Sequence, residues 1–276
     1  MEYVAALIFA LAIVFIVVQV FKNVYEIFAA TFDFFLGDKF HWFFIRKPLD
    51  EKYLKIIKEK FPYHQALPDE KKALFEKKVQ YFIKSKEFMP GHDIDQVTDE
   101  MIALISATAV QITFGYPRVY LVHFDRIYVF ADVYQSNATG HLHQGEVHTS
   151  GYIALSWKSF VFGLMDEKDG RNLGLHEMAH ALRVEDSIRN KEYNFLDYDS
   201  LVQFTKEGRR EIERMKTGDL TFFRKYGASS DQEFFAVAVE NFFERPAELH
   251  EHNPTLYRLL SSMLRQDPMA WNRRYR

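Results

Sequence analysis

The chain has 276 residues, with 35 Lys plus Arg against 38 Asp plus Glu, and no cysteine. A net charge of -3 spread over interspersed side chains offers no basic stripe for a phosphate backbone, which sets nucleic acid aside as a partner. With no thiol in the chain, disulfides and thiolate metal sites are excluded, so any metal must be held by His, Asp or Glu.

The first predicted element is apolar. Residues 3–21 carry one strongly polar side chain, Gln19, and as a helix would run about 28 Å, close to the thickness of a bilayer's hydrocarbon core. Met1-Glu2 before it and Val20-Phe21-Lys22 at its end lack the basic start and small-residue cleavage site of a secretory signal. Residues 1–22 therefore read as an uncleaved, single-pass transmembrane helix. Lys22, Lys39, Arg46 and Lys47 follow the span and no Lys or Arg precedes it, which places the remainder of the chain in the cytoplasm. Residues 23–50 are dense in aromatics, among them Tyr25, Phe28, Phe32, Trp42 and Phe44, and suit either an interfacial belt or packing on a soluble domain. Charge rises abruptly at Asp50, Glu51 and Lys52, so residues 51–276 are expected to form one soluble domain.

Apolar spacing predicts helices over 68–86 and 98–112. Three β-rich runs follow, at 116–121, 126–130 and 151–157, with a His- and Gly-containing loop or hairpin at 136–150. Helical patterns return at 158–165, 172–182, 200–216, 230–243 and 254–265. The expected fold is α+β, mainly helical, with a small sheet. Residues 152–155, lying just before a chemistry-bearing helix, are expected to form an edge strand that receives an extended peptide.

That helix carries His176-Glu177-Met178-Ala179-His180. Histidines four apart are separated by about 40° around a helix, so His176 and His180 can reach one ion. Glu177 then stands beside the ion, placed to take a proton from a metal-activated water, as in the HExxH pattern of zinc peptidases. A catalytic zinc needs a third protein ligand, and Asp231, Glu233 and Glu240 on the following apolar helix are the candidates. Glu233 and Glu240 are seven apart and share a helical face, so one can ligate while the other supports. Ser230-Asp-Gln-Glu233 also fits a capping box, and spacing does not choose between these readings. His141, His143 and His148 lack a shared-face spacing and read as exposed or substrate-facing rather than as a second metal site.

These residues resemble the Mlc titration factor A (MtfA) family of zinc peptidases, structurally akin to the catalytic domain of anthrax lethal factor. The matching stretches are Gly145-Glu146, Ile153-Ala-Leu-Ser-Trp157, Leu175-His-Glu-Met-Ala-His-Ala-Leu182, Tyr226-Gly-Ala-Ser-Ser-Asp-Gln-Glu-Phe-Phe-Ala-Val237 and Phe242-Phe-Glu-Arg-Pro246. They occur in family order and cover much of residues 65–270. The resemblance implies a zincin-like domain over residues 51–276 holding one Zn2+ per chain. It makes Glu233 the third zinc ligand, Glu177 the general base and Tyr226 the stabiliser of the oxyanion. It further implies a peptide or protein substrate and leaves room for a regulatory protein partner. Some HExxH enzymes carry an acid four residues after the third ligand to orient a histidine; here that position is Val237, leaving Glu240 or a backbone carbonyl as the substitute.

Overall fold

The computed structural model describes residues 48–271, apart from 119–120, 137–139, 167, 189–195 and 220. The expected transmembrane helix, and the juxtamembrane segment up to residue 47, lie outside the described residues. Among the described residues no helix is long and apolar enough to cross a membrane.

In chain order the helices begin with α1 (Glu51–Lys60), α2 (Pro62–Ala66) and α3 (Asp69–Ser85). Pro62 cannot continue α1, having no N–H to donate, and opens α2 as its first residue. After strand β1 (Glu87–Pro90) comes α4 (Asp99–Thr113), capped by the Thr98 side chain, which accepts from the Met101 amide. Almost every position of α4 is buried, so it is a central helix wrapped on all sides rather than an amphipathic surface helix. Next come β2 (Arg126–Phe130), β3 (Tyr134–Gln135), β4 (Leu142–His143), β5 (Gly145–His148), β6 (Tyr152–Ser156), α5 (Trp157–Met165) and α6 (Leu173–Ile188). The chain finishes with α7 (Tyr198–Thr217), a 3-10 turn (Lys225–Ala228), α8 (Asp231–Glu244), α9 (Pro246–His252), α10 (Pro254–Leu264) and α11 (Pro268–Trp271). The result is the expected α+β architecture, mainly helical with a small sheet.

The main sheet has the order β1-β2-β6-β5. β1, β2 and β6 are parallel, whereas β5 runs antiparallel to β6, with Gly145 opposite Leu155 and His148 opposite Tyr152. Gly151, at φ 93, makes the tight return between β5 and β6, a left-handed conformation that a side chain disfavours. Ile127 and Val129 of β2 alternate with less buried neighbours, while β6 is buried at four consecutive positions, as a strand covered on both faces should be.

Two strand expectations are corrected. The run 116–121 forms no strand at its described residues: Tyr116 is drawn instead into the C-terminal helices, where its hydroxyl donates to the Met263 carbonyl at 2.5 Å. Residues 152–155 are not an edge, because β2 and β5 occupy both sides of β6; among the described residues the edge strand on that side of the sheet is β5, which packs against α6. Helix α6 also runs six residues past its expected end at 182. Its late charges are buried, Glu185 accepting from the His123 amide and Asp186 from the Leu196 amide, and they do not terminate it.

Candidate active site

Helix α6 starts at Asn172, whose side-chain oxygen accepts from the Leu175 amide at 3.0 Å. Such a cap contributes about 1 kcal/mol and fixes where the first turn begins. It thereby sets which face His176 and His180 occupy. The facing helix α8 starts at Ser230, whose hydroxyl accepts from the Glu233 amide at 3.1 Å. Only the serine half of a capping box is used, since the Glu233 carboxylate turns toward the histidines.

Their donor atoms converge. His176 Nε2 and His180 Nε2 are 3.1 Å apart, Glu233 Oε2 lies 3.0 Å from His176 Nε2, and Glu233 Oε1 lies 3.5 Å from His180 Nε2. A tetrahedral ion with bonds of about 2.1 Å spaces its donors by about 3.4 Å, so this set fits a zinc-sized cation with one position left for water. Among the described residues this is the one His and carboxylate group that can hold a metal ion. Burial pushes His176 down, but the carboxylates of Glu233 and Glu240 more than reverse this and hold it at about 9. A cation entering here therefore displaces a proton. Burial opposes ionisation of Glu233, yet hydrogen bonds from His176 and His180 hold it well below the usual carboxylate range.

Behind the donor set lies Glu240, which is fully buried. Its Oε1 accepts from His176 Nδ1 at 2.7 Å and from the Arg224 guanidinium, and its Oε2 accepts from the Asn172 amide at 2.6 Å. With Nδ1 donating to Glu240, His176 presents its Nε2 lone pair to the ion position. Glu240 thus fills the orienting role that Val237 leaves open.

Glu177 is buried on the same helix, and burial lifts its carboxyl to about 7 against the pull of His176 and His180. Its carboxylate lies under β5: a Cβ at Gly145 would sit 2.4 Å from Glu177 Oε1, so any larger residue there would displace the Glu177 side chain. Tyr226 is half exposed, its ring centroid 5.8 Å from that of His176. Burial and the neighbouring Glu233 carboxylate raise its phenol to about 12, so it stays a hydrogen-bond donor. His176, Glu177, Tyr226, Arg224, Asn172, Gly145 and Glu240 line one cleft of about 850 Å³, and the donor atoms of Glu233 and His180 adjoin it through His176.

Other candidates lie elsewhere. Asp231 pairs with Arg209 at 2.7 Å on the surface. His148 bonds Ser150 and stacks on Tyr152, His141 is exposed, and His143 lines the cleft without joining the donor set. Arg224, Asn172 and Gly145 gained no role from residue type alone. A caesura before a helix gives a weak hint of Asn172 as a cap, but nothing in the sequence separates Arg224 from other loop cations.

Next to this network, burial and the charge of Glu240 raise the Glu244 carboxyl to about 8, while Asn172 Nδ2 donates to it at 3.0 Å. The folded state keeps a proton there that the unfolded chain, titrating near 4.5, has released. Stability from this group is full below the unfolded value and is lost as pH rises through about 8. Thermal melts at pH 6 and pH 9 should show a smaller alkaline loss for Glu244→Gln than for wild type; equal losses would refute this.

A family model described as glucose-regulated metallo-peptidase M90 matches residues 41–265. The chain is 26% identical over 247 residues to the uncharacterized protein slr2042 of Synechocystis, covering 81% of this chain and 87% of that one. It is 31% identical over 164 residues to the Mlc titration factor A of Yersinia enterocolitica, covering 54% of this chain and 59% of that one. With the Mlc titration factor A of Pectobacterium atrosepticum it shares 24% identity over 229 residues, 76% of this chain and 84% of the other. A family match across most of the chain, over a fold that brings two helical histidines and a carboxylate together, places this protein in the M90 metallopeptidases, the Mlc titration factor A family.

Proposed function

We propose that this protein is a zinc-dependent peptidase in which His176, His180 and Glu233 hold the metal, Glu177 is the general base and Tyr226 the oxyanion donor. The observation that carries the reading is the convergence of the three donor groups beside a buried carboxylate under an open strand edge. Zinc bound by that set supplies Lewis acidity, polarising the scissile carbonyl and acidifying a water. Glu177, raised toward neutrality, accepts the proton of the attacking water and returns it to the departing amine. Tyr226, protonated at working pH, donates to the oxygen on which charge develops. An extended substrate pairs with the free edge of β5, whose residues are each partly exposed.

Gly145 then matters for chemistry rather than for folding. Gly145→Ala should push the Glu177 carboxylate aside and lower kcat/KM about 10²-fold, the scale of a displacement of roughly 1 Å, with zinc content retained. Unchanged peptide turnover in that variant would argue against the placement of Glu177.

Residues 3–21 support a further part of the proposal, a single-pass anchor holding the peptidase domain of residues 51–276 at the cytoplasmic membrane face. The decisive test of the main reading is zinc analysis of protein purified without added metal, with peptide turnover followed through chelation and zinc re-addition. Stoichiometric zinc and turnover that is lost and regained support it; a metal-free protein at neutral pH sinks it. The names of two relatives record titration of Mlc by those proteins, which favours a second reading in which this chain sequesters a regulatory protein partner. Partner binding without peptide turnover in the zinc-loaded protein would select that reading.

A further inference from the structure

We infer that the cleft selects peptides carrying a carboxylate next to an apolar side chain, with Arg171 and Lys225 reading the charge. This deepens the peptidase reading and rests on it. The cleft is lined by four cationic side chains, Lys158, Arg171, Arg224 and Lys225, and by two carboxylates, Glu177 and Glu240. Both carboxylates are committed: Glu177 is buried at the chemistry, and Glu240 is held by His176, Asn172 and Arg224. Arg224 is thereby neutralised, and Lys158 reaches Asp132 at 2.5 Å on the rim.

Arg171 and Lys225 are different. Both are exposed, and among the described residues neither forms an ion pair. They enter the cleft from separate segments, Arg171 from the turn preceding α6 and Lys225 from the 3-10 turn that carries Tyr226. Two positive charges with no ion-pair partner among the described residues, on the walls of one concave site, focus a field that attracts anions and repels cations. A zinc ion held by His176, which lines the cleft, together with His180 and Glu233 would add the same sign.

The apolar half of the preference comes from α5 and β4. Phe162 is 66% exposed and Leu142 is 73% exposed, both lining the cleft. Large apolar side chains left open beside a catalytic centre gain by covering a substrate side chain. Phe162 lies four residues after Lys158, so the face of α5 at the cleft wall carries a charged stem at Lys158 and an apolar ring at Phe162. The carboxylate can belong to an acidic side chain or to a free chain terminus.

The test uses the zinc-loaded full chain and quenched peptides sharing one apolar residue. They differ at the flanking position (Glu, Gln or Lys) and at the C-terminus (free acid or amide). kcat/KM is measured for turnover, and Kd for the same peptides by fluorescence anisotropy on zinc-loaded Glu177→Gln, so the preference is read whether or not cleavage occurs. A carboxylate-bearing peptide should be favoured about tenfold over its neutral match at low salt, and less with added NaCl. The ratio should fall to about one or invert in Arg171→Glu/Lys225→Glu, and fall partway in the milder Arg171→Gln/Lys225→Gln, checked for an unaltered melt. Preference that follows the Glu side chain assigns the acidic residue; preference that follows the free C-terminus assigns the terminal carboxylate. Equal Kd for the Glu, Gln and Lys peptides with either terminus, or a ratio untouched by both double variants, overturns the inference. Turnover without charge preference leaves the peptidase reading standing alone, whereas charge-selective binding without any turnover does the reverse.

Discussion

Glu177→Gln is expected to lower kcat for peptide hydrolysis by about 10²- to 10⁴-fold while zinc stays bound. Glutamine keeps the volume and polarity of the side chain, so the contact under Gly145 and the packing of α6 persist, but it cannot accept the proton of the attacking water. The three metal donors are not altered, which is why zinc content is the necessary companion measurement. If the variant holds zinc and hydrolyses peptide as fast as wild type, the general base lies elsewhere and the proposed mechanism fails.

Glu240→Ala should be the most damaging change that touches no proposed metal ligand by substitution. It removes one acceptor from His176 Nδ1, from the Arg224 guanidinium and from the Asn172 amide together. Loss of a group that orients a metal-binding imidazole costs about 10- to 100-fold in metal affinity. Leaving the Arg224 charge without its buried partner costs about 3–5 kcal/mol of stability. Competition titration with a zinc chelator and denaturant unfolding measure the two effects separately. Glu240→Gln, which preserves the acceptor for Asn172 but not the charge opposite Arg224, should fall between. Wild-type zinc affinity in both variants would reduce Glu240 to a packing residue.

The two helices that build the site were legible because their information is local. Four-residue spacing puts His176 and His180 on one face, and Ser230 ahead of an apolar run marks where α8 starts. Glu233 was ambiguous for a physical reason: its backbone amide does serve the cap, and its side chain serves the histidines, so both readings described part of one residue. Its proposed role came from the resemblance, not from spacing. Sheet order was illegible, because strand pairing is set by contacts distant in sequence and four-residue strands carry little pattern. The swap of edge from β6 to β5 follows from that. Arg224 was missed likewise, since its significance depends on Glu240, 16 residues away and buried in another helix.

The sheet's two rims share a property. β1 and β5 are each four residues long; β1 ends on Pro90, which has no N–H, and β5 carries Glu146. An edge of four residues spans about 13 Å, enough to pair with a short extended peptide but too little to hold a second sheet by backbone bonds alone. The rim proposed to receive a guest is thus, by its length and its charge, also poorly suited to self-association into fibrils. Main-chain pairing over so short a stretch is blind to side chains and shallow in energy, which leaves discrimination between guests to the walls around it.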